Sequence, residues 1–101
     1  MSRSHKDSLA PVFKALSDPT RRAILDLLRE RPRTTGELAD GFPSSRFAVM
    51  KHLRILAAAH MVVVRRRGRE RWNHLNAAPL QQLYERWLRS YEAHWSARLK
   101  D

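Results

Sequence analysis

A mainly helical domain with one small β-hairpin, in the order α-α-α-α-β-β-α, is what this 101-residue sequence predicts. Three observations carry the prediction. Apolar residues recur at helical spacing through most of the chain. Between residues 62 and 75 the pattern changes to β-branched and aromatic residues on both sides of Gly68. Proline, glycine and small polar residues stand where helices must start or stop.

The elements follow in order. Leu9, Val12, Phe13 and Leu16 share one helical face, so residues 8 to 16 read as a short helix. Ser17-Asp18-Pro19-Thr20 resets the chain. Asp18 suits an N-cap, and Pro19 takes the first helical position, where its missing N–H costs nothing. The second helix carries Ala23, Ile24, Leu27 and Leu28 and ends before Pro32. Thr34-Thr35-Gly36-Glu37 has the capping-box form, with Thr34 as cap and Glu37 reaching back. It opens a very short third helix that buries Leu38 and Ala39, and Gly41-Phe42-Pro43 breaks it. Ser44 or Ser45 caps a fourth helix running to Ala59, with Val49, Leu53 and Leu56 as its apolar stripe and Ala48 and Ile55 at the edges. The hairpin comes next, carrying Arg65, Arg66, Arg67, Arg69 and Arg71 around Gly68. A basic linker is the competing reading, but disordered basic tracts lack such apolar flanks. A long helix from Ala77 to Leu99 closes the chain, with Asn76 as its cap and Pro79 in its first turn. Residues 1 to 7 read as a flexible arm and residues 8 to 101 as one domain.

Charge narrows the partner. There are 20 Lys and Arg against 10 Asp and Glu, a formal net charge of +10, which favours a polyanion, nucleic acid before anionic membrane. The absence of cysteine excludes disulfides, thiolate metal sites and cysteine nucleophiles, and suits a reducing cytoplasm. No apolar run approaches the ~20 residues that span a bilayer. The opening MSRSHKDS has no hydrophobic core of a secretory leader behind it. A membrane-surface helix is disfavoured, because Glu85 and Glu92 interrupt the basic side of the last helix. An enzyme is not expected. There is no Gly-rich phosphate loop and no His-Glu-x-x-His, and the acidic residues are scattered.

Residues 34 to 59 form a short helix, a glycine-containing turn and a longer helix, the helix-turn-helix layout. The second helix of such a unit lies in the DNA major groove. Its outward positions here are Ser45, Arg46, Phe47, Met50, Lys51 and Arg54. Arg46 suits a bidentate contact to guanine, and Phe47 and Met50 suit thymine methyls. Ser44, Ser45, Lys51 and Arg54 suit phosphates. An ordinary solvated face is the alternative, but two apolar groups on it then lack a reason. His52 stays open between a phosphate contact and a half-buried structural histidine.

Together, FKALSDPTRRAILDLL, GELA, SSRFAVMKHLRIL and VVVRRRGRERWNHLN resemble the ArsR/SmtB family of winged helix-turn-helix repressors over residues 9 to 99. The combination is specific, although each piece alone is weak. The resemblance implies that the hairpin is the wing. Arg66, Arg67 and Arg69 would then reach DNA phosphates or the minor groove, with Arg67 and Arg69 at the tip. Arg65 and Arg71 are expected to be strand residues with their charges in solvent. A repressor of its own operon in a bacterial cytoplasm, nucleoid-associated when bound, is likewise implied by the family alone. A nonspecific architectural DNA-binding protein is the alternative function.

The metal sites of that family do not carry over. Its Cys-x-Cys pair matches Thr34 and Gly36, and its zinc positions on the last helix match Ala77, Pro79, Ser90 and Ala93. The histidines (His5, His52, His60, His74, His94) show no i, i+3 or i, i+4 pairing. The metal-independent branch is therefore expected, with no metal and no cofactor. A small-molecule inducer is compatible with the family and is not identified by any residue. The family often has a small polar residue at the position of Met50 and a small residue or proline at that of Phe47. An operator sequence therefore cannot be carried over either.

In the last helix Leu80, Leu83, Tyr84, Trp87, Leu88, Tyr91 and Trp95 form one aromatic-rich stripe. Part of it must pack on the chain's own core. The resemblance implies that the rest, with Leu9, Val12 and Phe13 of the first helix, forms a two-fold homodimer interface. Two reading helices would then face successive major grooves of double-stranded DNA, and the operator would be an inverted repeat.

Overall fold

The computed structural model describes residues 7–100, with side chains through Ser96. Of the expected N-terminal arm, residues 1 to 6 lie outside that range. The first helix, α1 (Ala10–Leu16), is closed at its carbonyl end by arginines that follow it in sequence. Arg21 donates from Nε to the Ala15 carbonyl and from Nη2 to that of Lys14, both at 2.9 Å, and Arg22 donates to Leu16 at 2.6 Å. These bonds satisfy carbonyls that a helix end leaves without partners.

Helix α2 (Pro19–Glu30) begins as its sequence predicts. Asp18 Oδ2 accepts the N–H groups of Thr20 at 2.8 Å and Arg21 at 3.2 Å. Desolvation alone would raise the Asp18 carboxyl. The N–H groups of Arg21 and Thr20, with His52 and Arg21 nearby, outweigh it and hold the group below its ordinary value. After α2 comes an element the sequence did not announce, the two-residue strand β1 (Arg33–Thr34). Helix α3 (Thr35–Asp40) follows with both halves of the capping box formed: Thr34 Oγ1 accepts the Glu37 N–H at 3.0 Å, and Glu37 accepts that of Thr34 at 2.9 Å.

Helix α4 (Arg46–Ala58) is capped by Ser45, whose hydroxyl accepts the Ala48 N–H at 3.1 Å. It stops in a Schellman turn: His60 N–H reaches the Ala57 carbonyl and Met61 N–H that of Leu56. His60 takes the left-handed position, φ 62°, where glycine is usual. Strands β2 (Val62–Arg67) and β3 (Glu70–Leu75) form the predicted hairpin. Arg67 pairs with Glu70, leaving Gly68 and Arg69 as a two-residue loop. Gly68 has φ 62° at the first loop position, the pattern of a type II′ turn, which glycine enters without steric cost.

The sheet has three strands in the order β1-β3-β2, all antiparallel, so β3 is central. Asn73 on β3 is buried and donates to the Arg33 carbonyl (3.2 Å) and the Thr35 hydroxyl (3.1 Å). The core lies between α1, α2, α4 and the hairpin base, with Ile24, Leu38, Val49, Leu56 and Met61 fully enclosed.

The expected single helix from Ala77 to Leu99 is interrupted. It runs as α5 (Ala78–Leu83), a π-helical turn (Tyr84–Leu88), a 3₁₀ turn (Arg89–Tyr91) and α6 (Glu92–Lys100). The Arg89 N–H bonds to the carbonyl of Tyr84, one residue beyond the α-helical partner. Asn76 is also not the N-cap. Ala77 holds that place, while Asn76 accepts the Ala78 N–H at 3.3 Å and donates to the His60 carbonyl at 2.7 Å. No helix among the described residues is long and apolar enough to cross a membrane.

Candidate nucleic-acid interface

The two halves of the expected interface come from adjacent elements. α4 buries Val49, Leu53 and Leu56, which turns Arg46, Phe47, Lys51 and Arg54 outward. Phe47 is 66% exposed, a phenyl ring presented to solvent on the polar face of α4. Met50 is half-buried, beside Val64 and Arg71 of the hairpin. Ser44 and Ser45 stand exposed at the start of α4.

The hairpin runs beside α4. Side chains alternate across a strand, so Val64 and Arg66 share a face with Asn73 and Arg71. That face meets α4 in two adjoining clefts of about 140 and 260 Å³, which have Thr35, Met50 and Arg71 in common. Arg54 lines the first, and Arg46 and Arg69 the second. Arg71 is an exposed strand residue, as expected, and it also lines the cleft between helix and hairpin. The strand register held that signal, since residues 64, 66, 71 and 73 fall on one face once Gly68 is fixed as the turn. Arg65 projects from the opposite face and is exposed, as expected.

None of Arg46, Lys51, Arg54, Arg65, Arg66, Arg67, Arg69 and Arg71 forms an ion pair with a described carboxylate. Arg66 and Arg71 sit directly opposite each other across the strands, a like-charge pairing that costs stability unless an anion lies near. Arg67 rests with its guanidinium carbon 5.9 Å from the centre of the Trp72 ring, which restrains it near the tip. His52 lies on the flank of α4, with Nδ1 3.1 Å from Arg21 Nη1 and 3.9 Å from the Asp18 carboxylate.

The residues assigned to an interface between copies divide into two groups. Leu9, Val12 and Leu83 are buried in the protomer's own core. Leu80, Tyr84 and Leu88 are half-buried, and the Tyr84 hydroxyl donates to Glu92. Phe13, Trp87, Tyr91 and Trp95 remain 40–48% exposed. Phe13 meets Trp87 edge-on at 5.7 Å between ring centres, and Trp87 meets Tyr91 at 5.6 Å. The result is a connected aromatic ladder on the side of α1 and the C-terminal helices. Among the described residues no group of three His, Asp or Glu side chains converges on a metal-sized site.

A short helix, a turn and an outward-facing basic helix, flanked by a β-hairpin, define a winged helix-turn-helix DNA-binding regulator. Residues 16–65 match the model of a helix-turn-helix domain family. The chain is 44% identical over 70 residues to the transcriptional repressor SdpR of Bacillus subtilis, covering 69% of this chain and 78% of that one. Among solved structures it is similar to an ArsR-family transcriptional regulator, RHA00566, with TM-score 0.79 and 33% identity over 89% of this chain and 98% of the other. It is also similar to an ArsR-like transcriptional regulator from Rhodococcus sp. RHA1, with TM-score 0.73 and 39% identity over 92% and 87% of the two chains. The protein belongs to the ArsR family of helix-turn-helix transcriptional regulators. These relatives are regulators, not enzymes.

Proposed function

We propose that the protein is a homodimeric repressor that acts on DNA in a bacterial cytoplasm, with an inverted-repeat operator. α4 enters the major groove and the hairpin rides on the backbone and minor groove beside it. Arg46 reads guanine, and Phe47 and Met50 contact thymine methyls. Ser44, Ser45, Lys51, Arg54 and the wing residues Arg66, Arg67 and Arg69 hold phosphates. The observation that carries this reading is the set of eight cations on α4 and the hairpin that pair with no described carboxylate, with exposed Phe47 among them. A purely solvated face has no use for that phenyl ring, and an interaction module has no use for so many such arginines.

The aromatic ladder supports the dimer. Trp and Tyr are common interface anchors, and here four rings stand half-exposed, three of them in contact in series. The interface comprises Phe13, Trp87, Tyr91 and Trp95, with Leu80, Tyr84 and Leu88 at its margin. Two α4 helices related by a two-fold axis would meet half-sites about one helical turn apart. A small-molecule inducer acting on this assembly is compatible with the reading.

Fluorescence anisotropy tests it. The protein is titrated into a duplex from upstream of its own gene and into a scrambled duplex, at two salt concentrations. Tighter binding to the native duplex that survives the higher salt is expected. Equal binding to both, collapsing together as salt rises, sinks the specific-repressor reading in favour of nonspecific coating driven by the net charge of +10.

A further inference from the structure

Arg21 is a buried cation whose hydrogen bonds go to two carbonyls and a ring nitrogen. Nε and Nη2 close the end of α1, and Nη1 lies 3.1 Å from His52 Nδ1. A guanidinium can only donate. The Asp18 carboxylate stands 3.9 Å from the same nitrogen, beyond hydrogen-bond reach, so Nδ1 is the acceptor, and in a neutral imidazole the proton then resides on Nε2. Nε2 has no hydrogen-bond partner among the described residues. Among those residues no buried side-chain nitrogen or oxygen lacks a partner either, so Nε2 opens to solvent. The side chain is 21% exposed, enough for one ring edge, and it follows Lys51 on the helix assigned to the major groove.

We propose that Arg21 is a positioning residue that fixes the tautomer and aim of His52, so that its Nε2–H donates to a DNA backbone phosphate. The inference rests on the DNA-binding reading above. The two ring nitrogens play different parts, with Nδ1 held by the protein and Nε2 serving the ligand. The same guanidinium also grips the last carbonyls of α1. The reading helix is thereby tied to the helix that carries Phe13 of the aromatic ladder.

Two substitutions separate these parts. His52→Asn keeps an acceptor near the place of Nδ1 but ends short of Nε2. His52→Gln carries an amide donor out to the place of Nε2 but leaves Arg21 without its acceptor. At pH 8 the His52→Asn protein is expected to melt close to wild type and to bind operator about ten- to a hundredfold more weakly, the range of one net hydrogen bond in each protomer of the dimer. Its salt slope is expected to match wild type, because a neutral donor displaces no counterion. The His52→Gln protein is expected to bind within about twofold of wild type, the amide standing in for Nε2, and to melt lower. Nitrogen NMR of the wild-type protein is expected to report the Nε2–H tautomer for His52. A Nδ1–H tautomer, or a His52→Asn protein that binds operator as tightly as wild type, overturns the inference and leaves the repressor reading intact. Wild-type protein without specific affinity for any operator removes both.

Discussion

Replacing Arg67 and Arg69 together with alanine separates the wing from the reading helix. Arg67 ends β2 and Arg69 sits in the two-residue loop, and neither is paired with a described carboxylate. If each meets one phosphate, the slope of log affinity against log salt falls by about 0.9 per contact, or about 1.8 per protomer. Between about 50 and about 200 mM salt, wild type should therefore lose roughly twelvefold more affinity per protomer than the variant. The folding cost should be small. The Arg67 guanidinium stands 5.9 Å from the Trp72 ring, an exposed cation–π contact worth about 0.5–1 kcal/mol. Anisotropy titrations over a salt series read the slope, and thermal melts of the free protein read the folding cost. An unchanged slope would refute the assignment of the wing tip to DNA phosphates, whatever the affinity at a single salt concentration.

Other outcomes follow from local geometry. His60→Gly should stabilise the protein by about 1 kcal/mol, because a left-handed backbone strains a side chain with a Cβ; an unmoved urea midpoint would show that the turn carries no strain. The Glu37 carboxyl is held below its ordinary value of 4.5, first by the Thr34 N–H and also by the Arg31 side chain. Its folded value lies below its unfolded one, so it contributes stability above the ordinary carboxylate range and loses it as pH falls through the depressed value. Urea midpoints measured from about pH 6 down to about pH 3 should therefore fall less steeply for Glu37→Gln than for wild type. Trp87→Ala should weaken self-association by about 2 kcal/mol, roughly thirtyfold, while leaving the protomer folded; a sedimentation profile identical to wild type would place the interface elsewhere.

The sequence exposed those elements whose causes are local. The stripe of Val49, Leu53 and Leu56, the Thr34–Glu37 capping box and the Gly68 turn each follow from a few neighbouring residues, and each stands where expected. What it hid depends on distant contacts. β1 is two residues long and exists only because Arg33 and Thr34 pair with Asn73 and Trp72, some forty residues on. The π-helical turn at Tyr84–Leu88 contains no proline or glycine to announce it. In the sequence Arg21 is one more basic residue, because its partners are carbonyls of the preceding helix and a histidine on α4. The aromatic stripe was legible as a stripe. Which of its residues the protomer keeps for itself, as with Leu83, depends on how α1 and α5 meet.

The central position of β3 has a practical consequence. One edge of the strand is bonded to β1 at the entry of α3, the other carries β2, and the Asn73 amide ties the crossing to Arg33 and Thr35. The bearing of the wing on α4 is thus settled at the base of the hairpin, several residues from the tip. The two-residue loop of Gly68 and Arg69 is therefore the place to exchange: a loop of different length or charge spliced there should inherit the same angle of approach to a duplex. Reach and charge could be redesigned at the tip without disturbing the reading helix, provided Asn73 and its two partners stay in place.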